Sequence, residues 1–147
     1  MQRNELLTKS RTVAHASCTS KKRTLESVAR ILADDLSLPE TTIFKGLFER
    51  EKLGSTGVGH GVAIPHCRIE GLESISGALL TLEAAVDFEA PDQIPVDIIF
   101  ALVVPEDCSE GHLEALQTIA TELSRDDFRE ALRSKGTYTD LYDSFVN

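Results

Sequence analysis

Val96-Asp97-Ile98-Ile99-Phe100-Ala101-Leu102-Val103-Val104 is the stretch that decides the fold class. Its apolar residues do not alternate with polar ones, as they do on a strand with one wet face, but run on without interruption. A strand of this kind must be covered on both faces, which calls for helices on either side of a sheet. The flanking sequence supplies both strands and helices. Ser76 to Glu83 reads as a second strand, and Thr12 to Ala16 alternates weakly. Ser20 can cap a helix whose apolar residues Leu25, Val28, Ala29, Leu32 and Leu36 recur at helical spacing. Pro39 suits the first position of a second helix with the stripe Ile43, Phe44, Leu47 and Phe48, and Gly54 is a fitting stop. Beyond Pro105, Ser109 can cap a helix carrying Leu113, Leu116, Ala120 and Leu123, followed by shorter helices over Asp127–Ser134 and Asp140–Phe145. The expected class is α/β. The order of the strands is not readable from these patterns.

The chain has 147 residues, which suits one domain over residues 1–147 with a single sizeable core. With 41% apolar and 27% charged residues the composition is that of a globular protein, and no stretch approaches the roughly 20 apolar residues of a membrane span. Met1 to Ser10 mixes charged and polar residues with no apolar h-region, so no secretory signal is expected. Cys18, Cys67 and Cys108 form an odd set without Cys-x-x-Cys spacing, which argues against a disulfide framework and a zinc ribbon and fits a reducing cytoplasm. A formal net charge of −9 repels a phosphate backbone, so nucleic acid is not an expected partner. The local patch Lys21-Lys22-Arg23 reads as a solvated first helical turn, too small for an electrostatic footprint.

Chemistry concentrates between Arg50 and His66, where Gly54, Gly57, Gly59 and Gly61 fall within eight positions. Glycines admit positive φ and let successive amides approach an anion, so Gly54, Ser55, Thr56, Gly57, Gly59 and Gly61 are candidates for a phosphate-cradling loop. On composition alone an irregular helix-to-strand connection is the stronger reading of the same glycines. The dinucleotide pattern G-x-G-x-x-G and the P-loop lysine are both missing, which removes support for nucleotide binding. His66 follows Pro65, whose fixed φ restricts how the histidine enters. A neutral imidazole is a nucleophile near pH 7, so a fixed histidine beside amide donors suits reversible phosphoryl capture. Arg50 can offer a planar guanidinium to the developing charge, and His112, early in a helix, can face an anion. His15 and His60 are weaker candidates than His66. A metal is not expected, because His60, His66, Cys67, Cys108 and His112 lack metal-site spacing, and a hydrolase loses support because no G-x-S-x-G elbow is present. Asp87, Glu89, Asp92 and Asp97 show no telling spacing and read as solubilising charges.

The segments Ser20-Lys21-Lys22-Arg23, Arg50 to Gly59, Ala63-Ile64-Pro65-His66, Pro95-Val96-Asp97, Phe100 to Pro105 and His112-Leu113 together resemble the IIA domains of the bacterial phosphoenolpyruvate-dependent phosphotransferase system. The likeness is to the fructose and mannitol branch and, within it, to the nitrogen-regulatory members. It implies a mixed sheet sandwiched between helices. By the resemblance His66 matches the phosphorylated histidine, Arg50 the phosphate-site arginine, His112 a second active-site histidine, and Gly54 to Gly61 the wall of the active site. Cys67 departs from the pattern, standing where glycine is common. The resemblance further implies a phosphotransferase component without metal or nucleotide cofactor. It would take its phosphoryl group from an HPr-like phosphocarrier and act on regulatory targets such as transporters or kinases. Two alternatives stay open: a sugar-specific IIA that passes the group to a IIB unit, and a non-catalytic binding module that retains the loop.

Overall fold

The computed structural model describes residues 2–108 and 110–147. The continuous apolar run becomes strand β6, Val96–Pro105, and lies inside a mixed sheet. In chain order the strands are β1, Thr12–Ala16; β2, Gly57–Gly59; β3, Val62–Ala63; β4, His66–Ile69; β5, Ser76–Val86; and β6. The sheet order is β1-β5-β6-β3-β2, with β4 also paired to β6. β5 runs antiparallel to β6 along Ser76↔Val103 to Thr81↔Ile98, whereas β1 is parallel to β5. β3 and β4 are both parallel to β6, at Val62↔Ile98 and at His66↔Leu102, so they form one strand broken at Ile64 and Pro65. Proline at the break is expected, because it lacks the N–H a continuous ladder would need. Its carbonyl is still used, accepting the Leu102 N–H at 2.8 Å.

Alternate residues of β6 enter two separate cores. Ile99, Ala101 and Val103 meet Leu25, Val28, Ala29, Leu32, Ile43 and Leu47. These come from α2, Lys21–Leu36, and α3, Glu40–Lys52; a short α1, Arg3–Leu6, precedes them. Ile98, Phe100, Leu102 and Val104 meet the other layer, built from α1, α4 (Glu110–Leu123), α5 (Asp126–Arg133) and α6 (Tyr138–Val146). The expected sandwich of a mixed sheet between helices is therefore the observed one.

Local signals hold with small corrections. Ser20 Oγ accepts the Arg23 N–H at 3.1 Å and caps α2. Pro39 is the cap of α3 and not its first helical residue. In α4 the buried stripe is Ala115, Ile119 and Leu123, with Leu116 packed beside it, while Leu113 and Ala120 face outward. The expected cap Ser109 lies outside the described residues. The glycine stretch is more ordered than a loop, since β2 and β3 make a small antiparallel hairpin through Gly57↔Ala63 and Gly59↔Val62. Its turn needs positive φ at three successive residues, Gly59 (98°), His60 (59°) and Gly61 (79°), a requirement that glycine meets without steric cost at two of them. β4 was not foreseen, because four residues beginning His-Cys-Arg carry no strand pattern.

Candidate functional site

His66 opens β4 at the point where the broken strand resumes. Paired residues of a parallel ladder share a face, so His66 points to the α4 side with Leu102, and Cys67 points to the α2–α3 side. His66 Nδ1 lies 2.8 Å from the carbonyl oxygen of Ile64. A carbonyl only accepts, so Nδ1 carries the proton and Nε2 is left with the free lone pair. The ring is half-buried, and the His112 ring lies beside it with centroids 5.5 Å apart and planes inclined by 59°. His112 Nε2 is buried without a hydrogen-bond partner. Burial, followed by the nearby His66 and the Arg68 charge, holds its pKa below the ordinary histidine value. His112 is therefore a neutral ring set against the His66 ring.

Arg68 was missed by the sequence reading. Two residues after His66 on the same strand face, its guanidinium donates to the carbonyls of Glu106, at 3.2 Å, and Cys108. It ties the turn that leads into α4, and so His112, to the strand that carries His66. The available signal was period two: residues 66 and 68 share a face only once β4 is recognised as a strand.

Arg50 stands in the last turn of α3, where Nη1 donates to the Gly54 carbonyl at 2.9 Å. Thr56 lies beside the histidine segment, accepting the Ile64 N–H on its carbonyl at 3.0 Å. Ser55 Oγ donates to the Phe88 carbonyl at 2.6 Å and accepts the Gly57 N–H at 3.0 Å, so its hydroxyl is occupied in holding the loop. Gly59 and Gly61 are not brought to His66. They lie at the hairpin turn, and the four residues from Val62 to His66 at about 3.3 Å each put that turn roughly 13 Å away along the sheet. Two carboxylates read as solubilising instead secure this turn. Asp92 accepts the His60 N–H at 2.8 Å, which holds its pKa down, and Asp97 accepts Arg133 Nε at 3.0 Å while Arg133 Nη2 reaches the His60 carbonyl at 2.7 Å. His15, at an irregularity of β1, is exposed and is not placed with His66. Among the described residues no group of three or more His, Cys, Asp or Glu is placed to hold a metal ion. Nor is any described helix long and apolar enough to cross a membrane.

Two histidines thus meet at the edge of a mixed sheet between helices, where one strand is broken. Residues 5–147 match the family described as phosphoenolpyruvate-dependent sugar phosphotransferase system, EIIA 2, and the chain belongs to that family. Within it the chain is similar to nitrogen regulatory proteins. It is 48% identical to the one from Pseudomonas aeruginosa over 144 residues, covering 97% of this chain and 94% of that protein. It is 38% identical to the one from Escherichia coli, covering 97% and 88%. The crystal structure of the nitrogen regulatory protein IIA-Ntr from Neisseria meningitidis superposes with a TM-score of 0.90 at 40% identity, covering 96% of this chain and 97% of that one. Mannitol IIA from Escherichia coli shares the fold at a TM-score of 0.77 and 13% identity, covering 92% and 96%.

Proposed function

We propose that His66 accepts a phosphoryl group on Nε2 from the phosphohistidine of an HPr-like carrier, and that the phosphorylation state decides which proteins the chain binds. The carrying observation is the hydrogen bond from His66 Nδ1 to the Ile64 carbonyl, which leaves Nε2 as the nucleophile. In the transfer the Nε2 lone pair attacks phosphorus, the donor's P–N bond breaks, and the donor ring leaves with the electron pair. The Nδ1 proton stays on its Ile64 contact throughout. The product ring is therefore a phosphorylated imidazolium, whose positive charge offsets part of the added negative charge. Phosphoryl transfer asks a protein mainly for positioning and charge stabilisation. Arg50 supplies a cation at the loop entrance, His112 an unpaired ring nitrogen, and no metal or nucleotide is part of the step.

Docking of a protein donor is supported by two exposed leucines, Leu53 (84%) next to the Arg50–Gly54 contact and Leu113 (61%) next to His112. Adding a phosphoryl group of roughly one and a half to two negative charges, partly offset by the ring, changes which partners fit this surface. The regulatory output is supported by the similarity to nitrogen regulatory proteins over nearly the whole chain.

Incubation with phosphoenolpyruvate, enzyme I and an HPr-like carrier should add about 80 Da, one acid-labile phosphoryl group, to the wild type and nothing to His66→Ala. No gain with demonstrably active donors from both the sugar and nitrogen branches would leave a binding module in place of a carrier.

A further inference from the structure

Glu51 is the least expected charge in the molecule. It follows Arg50 in the last turn of α3, yet its side chain is only 3% exposed. A buried carboxylate is costly unless it is paired and fully hydrogen-bonded, and this one is both. Oε1 accepts the Thr56 N–H at 2.8 Å, Oε2 accepts the Thr56 hydroxyl at 2.5 Å, and Lys21 Nζ lies 3.0 Å from Oε1. Lys21 therefore departs from the expected solvated patch: it reaches inward to Glu51, while Lys22 and Arg23 stay exposed.

Three successive links lead from this pair to the nucleophile. Glu51 holds Thr56 at two atoms. The Thr56 carbonyl accepts the Ile64 N–H at 3.0 Å, and the Ile64 carbonyl accepts His66 Nδ1–H at 2.8 Å. The peptide groups flanking Ile64 are thus fixed on one side by the Glu51 clamp and fix the His66 ring on the other. We infer that Glu51 is a positioning residue, which sets the orientation and tautomer of His66 through Thr56 and Ile64, with Lys21 as its counter-charge. The inference rests on His66 being the phosphoryl acceptor for its effect on rate, though not for its effect on the ring. Fixed geometry at the attacking atom is the main thing the protein can give this reaction, and a displacement of about 1 Å can cost on the order of a hundredfold.

The test uses Glu51→Gln, which keeps the shape but loses an acceptor oxygen and the charge, and Thr56→Val, which keeps the backbone donor and loses the hydroxyl. Thr56→Ser, which keeps the hydroxyl, is the rescue control. Nitrogen-15 spectra of the unphosphorylated proteins report the His66 tautomer directly. The wild type and Thr56→Ser should hold the Nδ1–H tautomer, and the other two should show a mixture. Carrier-dependent phosphorylation of Glu51→Gln and Thr56→Val should slow about ten- to a hundredfold in kcat, with KM for the carrier changed less than about twofold. The double variant should be no slower than the worse single one. An unchanged tautomer in either folded variant would overturn the inference, as would a rate loss matching only the loss of folded protein. Should Glu51→Gln fail to fold, Thr56→Val decides. Because the tautomer is read without phosphorylation, failure of the wild type to accept a phosphoryl group would count against the proposed function and leave this result standing.

Discussion

The rings of His66 and His112 lie 5.5 Å apart, and His112 Nε2 is buried with no hydrogen-bond partner. Burial first, then His66 and the Arg68 charge, lower the His112 pKa, so the ring is neutral in the unphosphorylated protein. A phosphoryl group on His66 adds negative charge beside His112 and favours its protonated form. The His112 midpoint, followed by NMR, should lie below about 6.5 in the unmodified protein and rise on phosphorylation. The sign for stability follows from the same shift. Between the lowered folded value and the ordinary unfolded one, the unfolded chain binds more protons, so the unmodified protein loses stability as pH falls through that window. His112→Gln should remove that dependence. A midpoint unmoved by phosphorylation would place His112 outside the phosphoryl site.

Arg50 has its own test. Its guanidinium is held by the Gly54 carbonyl at the end of a helix, so Arg50→Ala removes a surface contact and no core packing. Its stability should stay within about 0.5 kcal/mol of the wild type, measured by urea denaturation. Transfer to His66 should slow by about a hundredfold, the scale set by loss of one charge-stabilising donor. Arg50→Lys should recover part of this, since it restores the charge without the planar fork. Full transfer rates in Arg50→Ala would remove Arg50 from the site.

What could be read from the chain alone depended on whether the signal was periodic or contextual. The run Val96–Val104 is legible as a strand covered on both faces, because continuous burial leaves a continuous apolar stretch. The helices over Lys21–Leu36 and Glu40–Lys52 are legible because their apolar residues recur at helical spacing. β4 is not, because four residues carry too few periods, and with it went Arg68. Lys21 and Glu51 are invisible for another reason: each looks like a surface charge until the fold puts α2, α3 and the hairpin together. The glycine stretch was read as one unit, but the hairpin splits it, placing Thr56 beside Ile64 and Gly61 against Arg133.

Arg68 gives a prediction the sequence did not. It ties β4 to the carbonyls of Glu106 and Cys108, just before α4. Arg68→Ala should loosen that turn, raising hydrogen exchange at residues 106–108 and 110–112 while β5 and β6 stay protected. Removing one of the causes that lower the His112 pKa should let its midpoint rise. Transfer should slow by about tenfold, through a less well-placed His112. Wild-type exchange in that turn, together with an unmoved His112 midpoint, would reduce Arg68 to a surface charge.

Cys67 is adjacent to His66 in sequence but faces the opposite core, 8% exposed, and burial pushes its thiol pKa up to about 12. The thiolate is the reactive form, so at pH 8 on the order of one molecule in ten thousand carries it. Iodoacetamide should therefore alkylate half-buried Cys108 in the native protein and leave Cys67 and the buried Cys18 intact until denaturant is added. The same packing limits α3. A Cβ on Gly46 would stand 2.9 Å from Cys67 Sγ and 3.3 Å from its Cβ. Gly46→Ala gains about 0.5–1 kcal/mol of helix propensity but overpacks this contact at a cost of about 1–3 kcal/mol, so the net effect should be destabilising. Cys67→Ala should relieve most of that clash, and the two substitutions should be strongly non-additive. Phosphoryl transfer in Cys67→Ala should match the wild type, because the strand separates Cys67 from the site. Alkylation of Cys67 as fast as Cys108, or additive stabilities in the pair, would mean that α3 does not close on β4 as described.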